Sequence, residues 1–194
     1  MPGQYVKENV IFTSRGCNSN CDFCLVRLYE GSFRPVPWMA CKNPIIQDNN
    51  ILQHEPQTLD SIFRILRNCG TVTFSGGLAP PLITEPIVYM LKQLKLGQIF
   101  LSCDTEDAIK ALYRAVALLD LPRDKLRCYV LIGREPYEVA VTRLNAVYRA
   151  GCLPFAQLYQ PPDKWIRYNS VWRELQRCWS RPAITKSLAS KDIL

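Results

Sequence analysis

Six short apolar runs, most of them separated by an amphipathic helical pattern, constrain the fold of this chain more than any other feature. The runs are 10–12, 44–47, 72–74, 99–101, 126–132 and 155–159, and polar or glycine-rich breaks follow them. Runs this short and this apolar suit strands buried on both faces, as in a parallel sheet. Between them, Leu59, Ile62, Phe63 and Leu66 share one helical face, as do Ile87, Leu91 and Leu94. Ile109, Leu112, Val116 and Leu119 form another such face, and Ala140, Leu144, Val147 and Tyr148 a fourth. Glycines 70, 97 and 151 stand where these helices are expected to stop, and Thr84 and Thr105 where two of them begin. Strand–helix alternation of this kind predicts one parallel α/β domain over 1–194, with a core at about 10–180 and a C-terminal tail at 181–194. On periodicity alone a doubly wound sheet and a partial barrel fit equally well.

A last helix is expected over 164–179, where Trp165, Tyr168, Trp172, Leu175 and Trp179 recur at gaps of three and four. A stripe this regular reads as core packing rather than a base-stacking platform. Residues 25–43 carry Gly31, Pro35 and Pro37 and are expected to be loop with at most one helical turn.

Composition sets broad limits. The chain has 194 residues, 48% hydrophobic and 21% charged, with a formal charge of +7. These values describe a globular domain, and the charge permits a nucleic acid or other acidic partner without requiring one. No apolar stretch reaches the length of a membrane span, and no signal-type run opens the sequence, so a cytoplasmic, non-membrane protein is expected. Nine cysteines without an export signal point to reduced thiols rather than a disulfide framework.

Three of those cysteines crowd into one loop. Residues 17–24 read Cys-Asn-Ser-Asn-Cys-Asp-Phe-Cys, which places Cys17, Cys21 and Cys24 directly after the first apolar run. Thiolates at this density suit an iron–sulfur cluster or zinc. A structural zinc knot would need a fourth ligand from Cys41 or His54, and neither stands at the paired spacing of common zinc modules. The remaining cysteines are scattered. Cys128 and Cys178 fall on apolar faces and are expected in the core, Cys41 and Cys152 are candidates for reactive thiols, and His54 is expected at the surface.

With an aromatic before its third cysteine, the CxxxCxxC pattern resembles that of the radical S-adenosylmethionine enzymes. The resemblance implies a (β/α)6 partial barrel in which three thiolates hold a 4Fe-4S cluster. It further implies that the open iron chelates S-adenosyl-L-methionine, which is cleaved reductively to a 5′-deoxyadenosyl radical that abstracts hydrogen from a substrate. A one-electron donor such as flavodoxin or ferredoxin is implied as partner. In such a barrel the loops after the carboxyl ends of the strands build the site. Phe23 then stands where the family places an aromatic beside the adenine. Phe74-Ser75-Gly76-Gly77-Leu78 is similar to the glycine-rich segment that meets the cofactor's amino group, with Leu78 where that segment has Glu. Ser102 and Asp104 match the position from which the ribose hydroxyls are held, although Asp104 before Thr105 also suits a helix cap. Arg134 is a candidate counter-charge for the cofactor carboxylate, and Asp48, Asn49 and Asn50 are candidates for facing the substrate. Two alternatives stand beside this reading: radical modification of an RNA or protein, and a non-enzymatic zinc-stabilised binding module.

Overall fold

The structure is a computed structural model, and it describes residues 7–189. The chain divides into two compact units, Met1–Phe100 and Leu101–Leu194. Both are α/β.

The first unit opens with β1 (Val10–Ile11) and β2 (Ser14–Arg15), then α1 (Val26–Tyr29), β3 (Arg34–Pro35) and β4 (Ile45–Ile46). It continues with α2 (Pro56–Leu66), β5 (Thr71–Leu78), α3 (Glu85–Lys92) and β6 (Lys95–Ser102), whose last two residues belong to the second unit. Strand order is β1-β4-β5-β6. β1 runs parallel to β4, with Ile11 opposite Ile46, and β4 parallel to β5, with Ile46 opposite Phe74. Parallel neighbours need a crossover, and α2 supplies the one between β4 and β5. Pro56 starts α2 with its φ already set for a helix. Leu59, Ile62, Phe63 and Leu66 are all buried, and Phe63 stacks on Phe74 of β5 with ring centroids 5.7 Å apart. Burying each such side chain is worth about 1.5–3 kcal/mol. α1 is the single helical turn expected within 25–43.

Three glycines take different places from those expected. Gly97 lies inside β6 rather than at a helix end, because a Cβ there would come within 2.5 Å of the Thr73 hydroxyl on β5. Gly76 and Gly77 likewise lie inside β5, which runs on to Leu78 instead of stopping at Phe74.

In the second unit, α4 (Ala108–Leu119), β7 (Leu126–Ile132), α5 (Tyr137–Arg149), β8 (Leu153–Leu158), α6 (Ser170–Ser180) and α7 (Pro182–Ala189) follow. Strand order is β6-β7-β8, with β7 parallel to β8 from Arg127 opposite Leu153 to Ile132 opposite Leu158. Leu112, Ala115 and Leu119 of α4 and Ala140, Leu144 and Val147 of α5 are buried, as are Leu126, Cys128, Val130 and Ile132 of β7. α4 begins three residues after Thr105 and ends on Asp120, whose φ of 48° closes the helix with a bond to the Val116 carbonyl.

Corrections fall at the C-terminal end. α6 starts at Ser170, not 164, because the Asn169 side chain caps it by accepting from Trp172 N. The preceding segment is a loop, so Trp165 is 77% exposed while Leu175 and Trp179 are buried. Pro182 opens α7 where a tail was expected, and the Thr185 hydroxyl donates to the Cys178 carbonyl at 2.7 Å. The end of that expected tail, 190–194, lies outside the described residues. Cys178 is only half-buried and donates to Glu174, since it sits to the side of the face that Leu175 and Trp179 bury. Among the described residues no helix is long and apolar enough to cross a membrane.

Candidate functional site

The cysteine loop hangs from a stem. β2 and β3 pair antiparallel, Ser14 opposite Pro35 and Arg15 opposite Arg34, so the chain leaves and re-enters the first unit at one place. Val36 N donates to the Thr13 carbonyl at 3.0 Å and Cys17 N to the Gly31 carbonyl at 3.2 Å, which extends that closure on both sides. Gly16 makes the entry turn. Its φ is +73°, and a Cβ there would lie 2.1 Å from the Ser32 carbonyl oxygen, so no other residue fits without moving backbone. The Glu30 carboxylate clamps the same place. It accepts from Arg15 Nη2 at 2.8 Å, from Gly16 N at 3.0 Å and from Asn49 Nδ2 at 2.8 Å.

Beneath the stem lies a buried polar network that joins the ends of β1 and β4. Asp48 follows β4 and is 2% exposed. Its carboxylate accepts from Thr13 N at 2.7 Å, from the Thr13 hydroxyl at 2.5 Å and from the Ser14 hydroxyl at 2.7 Å. The Thr13 hydroxyl also meets His54 Nε2 at 2.9 Å. Since a hydroxyl has one proton and this one goes to Asp48, His54 donates from Nε2 and keeps a lone pair on Nδ1. That Nδ1 is buried with no hydrogen-bond partner, and the Phe33 ring stands perpendicular to the imidazole, centroids 5.0 Å apart. Burial pushes the Asp48 carboxyl above its ordinary value against the pull of those three hydrogen bonds. Burial lowers His54, with Asp48 acting in the opposite direction. The two are therefore bridged through a hydroxyl rather than joined as an ion pair, their nearest atoms being 3.9 Å apart. His54 is thus a buried residue, not the surface one expected.

Gln53 connects this floor to the cysteines. Its Nε2 donates to Cys17 Sγ at 3.3 Å and to the Ser19 hydroxyl at 3.2 Å, while its Oε1 accepts from Asn18 N at 2.8 Å. Asn18 Oδ1 in turn accepts from Phe33 N at 3.1 Å. The second half of the loop turns at Asp22-Phe23, with Cys24 N donating to the Cys21 carbonyl at 3.2 Å. Cys17, Cys24 and Phe23 are half-buried and Cys21 is exposed. In kind and number these thiols fit an iron–sulfur donor set. They are not drawn together here. No three His, Cys, Asp or Glu side chains among the described residues stand close enough to hold a metal ion.

The glycines expected to face a cofactor have close neighbours of their own. A Cβ on Gly76 would lie 1.7 Å from the Asp48 carbonyl oxygen, so the missing side chain brings β5 against the end of β4. Gly77 is buried with φ +98°. Asp48, Asn49 and Asn50 are equally committed to structure: Asn49 binds Glu30 and the Gly16 carbonyl, and Asn50 Oδ1 accepts from Leu52 N to cap a short turn.

The remaining expected residues lie in the second unit. Ser102 ends β6 and is half-buried. Asp104 does not cap α4. Its Oδ1 accepts from Leu131 N on β7 at 2.8 Å, and burial raises its carboxyl although that bond and the Arg143 charge oppose the rise. Arg134 is exposed, with its guanidinium 5.3 Å from the centre of the Tyr159 ring. Cys152 is fully buried, and burial pushes its thiol up to about 12, which removes it as a reactive thiol.

Sequence reading missed Thr13, Ser14, Glu30, Gln53 and His54. The one available signal was Thr13-Ser14 leaving an apolar run beside the cysteines. No family model and no curated protein matches the sequence.

Proposed function

We propose that the chain is a radical S-adenosylmethionine enzyme of partial-barrel type, with Cys17, Cys21 and Cys24 as ligands of a 4Fe-4S cluster. The observation that carries this reading is three thiols within one loop, on a clamped stem directly after the first of a set of parallel strands. When bound, the cluster would supply one electron for reductive cleavage of S-adenosyl-L-methionine, and the radical so formed would take hydrogen from a substrate. The residues of the chain have their own tasks. Glu30 and Gly16 fix where the loop leaves the unit, and the Thr13–Asp48–His54 network fixes the floor below it. Gln53 holds Cys17 by a donor directed at sulfur, the kind of outer contact that orients and tunes a metal ligand. Phe23, Gly76 and Gly77 enter this reading as the first-unit residues for the cofactor through the resemblance. Ser102 and Asp104 enter this reading through the resemblance alone, as does a flavodoxin- or ferredoxin-type donor.

The test is anaerobic. The protein is reconstituted with iron and sulfide, then given S-adenosylmethionine and dithionite, and 5′-deoxyadenosine is measured beside Cys17→Ala, Cys21→Ala and Cys24→Ala. Product from the wild type alone supports the reading. Zinc without sulfide, and no cluster on reconstitution, removes it in favour of a zinc-stabilised module.

A further inference from the structure

The segment from Pro161 to Ala189 has a surface with no part in the cysteine chemistry. It carries Lys164, Arg167, Arg173, Arg177, Arg181 and Lys186 against only Asp163 and Glu174, a net +4 of the chain's +7. All six cations are exposed. Arg173 and Arg177 stand one turn apart on α6, about 6 Å along the axis, on the side opposite the buried Leu175 and Trp179. Arg181 follows at the helix end; Arg177 is paired to Glu174, and Arg173 Nε donates to the Asn169 carbonyl at 3.4 Å.

Trp165 lies between Lys164 and Arg167 and is 77% exposed. Its exposure is not the looseness of a dangling loop. The next residue, Ile166, is pinned on both backbone atoms by one side chain: Ile166 N donates to Gln160 Oε1 at 2.8 Å, and Gln160 Nε2 donates to the Ile166 carbonyl at 3.1 Å. Tyr168 is fixed as well, its hydroxyl donating to the Tyr159 carbonyl at 2.8 Å. The backbone that carries the indole is thus already ordered, so binding would cost it less loop entropy.

We infer that the Trp165 loop and the exposed face of α6 form a binding surface for single-stranded nucleic acid, with the arginines along the phosphates and the indole under a base. A cationic track with an aromatic stacking face is what sequence-tolerant single-strand binding uses. A membrane surface fits less well, because the exposed apolar area beside these cations is one indole and Val171, too little to insert. This inference is independent of the radical reading.

The experiment is fluorescence anisotropy with a labelled oligouridylate, an oligothymidylate of equal length and a duplex, across a salt series. With about three phosphates contacted, log affinity falls with log salt at a slope of about −2. The double variant Arg173→Glu/Arg181→Glu weakens single-strand binding about tenfold or more. The control Lys92→Glu/Lys95→Glu, equal in charge change and exposed in the first unit, stays within about twofold. Trp165→Ala costs about fivefold on single strands and leaves duplex binding unchanged. Cys17→Ala/Cys21→Ala/Cys24→Ala binds as wild type, which separates this surface from the cysteine loop. The uridylate and thymidylate arms tell an RNA from a DNA preference. Absence of wild-type binding, equal loss in the lysine control, or retention by phosphatidylserine vesicles in place of oligonucleotide overturns the inference.

Discussion

Gln53 gives its side-chain amide to the sulfur of Cys17 across 3.3 Å, and with the same side chain it accepts the N–H of the next residue at 2.8 Å. One residue thus sets both the position of a thiol and the backbone that carries it. Gln53→Leu keeps the bulk and removes both bonds together with the one to the Ser19 hydroxyl, at a cost of about 1 kcal/mol for the lost backbone partner. Amide hydrogen exchange at Asn18 then speeds up by roughly fivefold, and an unchanged rate refutes the tether.

Gly16 and Gly31 share a positive φ but differ in surroundings. A Cβ at Gly16 meets the Ser32 carbonyl at 2.1 Å, whereas at Gly31 nothing lies within 4 Å. Gly31→Ala costs about 1 kcal/mol for its backbone conformation alone, while Gly16→Ala costs roughly 3 kcal/mol or more because backbone must also move. Urea midpoints for the two variants measure the difference. Equal shifts would sink the close-approach account.

The pH dependence of stability follows from His54. Its folded pKa lies below the ordinary histidine value of 6.5, so the unfolded chain takes up this proton first as pH falls. Stability from this residue is present above 6.5 and declines below it, by at most about 1.4 kcal/mol per pH unit. Asp48 works the other way. Its raised folded pKa gives stability that is full below 3.8 and lost as pH rises through the folded value. His54→Phe removes the histidine's share, so on going from neutral to mildly acid pH the unfolding free energy of the variant falls less, or rises more, than that of the wild type. A slope that survives the substitution unchanged assigns it to another group.

Thiol labelling sorts the cysteines by burial. Cys103 and Cys152 are buried, with thiols pushed up to about 12, and burial lifts Cys128 well above the ordinary range. Alkylation of the folded, metal-free protein near neutral pH, read by peptide mass mapping, therefore marks Cys17, Cys21 and Cys24 within minutes. It leaves these three buried thiols, and Cys69, unmodified until denaturant is added. Rapid native labelling of Cys152 would contradict its placement.

The long periodic elements could be read from the sequence because their signal is local. α2, α5 and β7 lie within two residues of where hydrophobic spacing put them. The stem and its floor could not be read, since they join distant residues: Thr13 reaches Asp48 across 35 positions and His54 across 41. Strands of two residues such as β2 and β3 carry no periodicity. Trp165 misled for a different reason. Its spacing continued the aromatic stripe of α6, but the Asn169 cap starts that helix at Ser170, five residues beyond it, and leaves the indole outside. Among the site residues, the three cysteines were legible as a motif. Glu30 was not, because a lone acid beside a glycine resembles any turn until Arg15, Gly16 and Asn49 converge on it.

The pairing of Ser14 with Pro35 has a bearing on how such a chain can change. Because the loop departs and returns at a single gate, its length and contents between Asn18 and Tyr29 can vary while the spacing of the parallel strands is preserved. The cysteine loop is in effect an interchangeable cartridge. A replacement loop need only leave Gly16 against Ser32 and Glu30 on Arg15 to plug into the same frame.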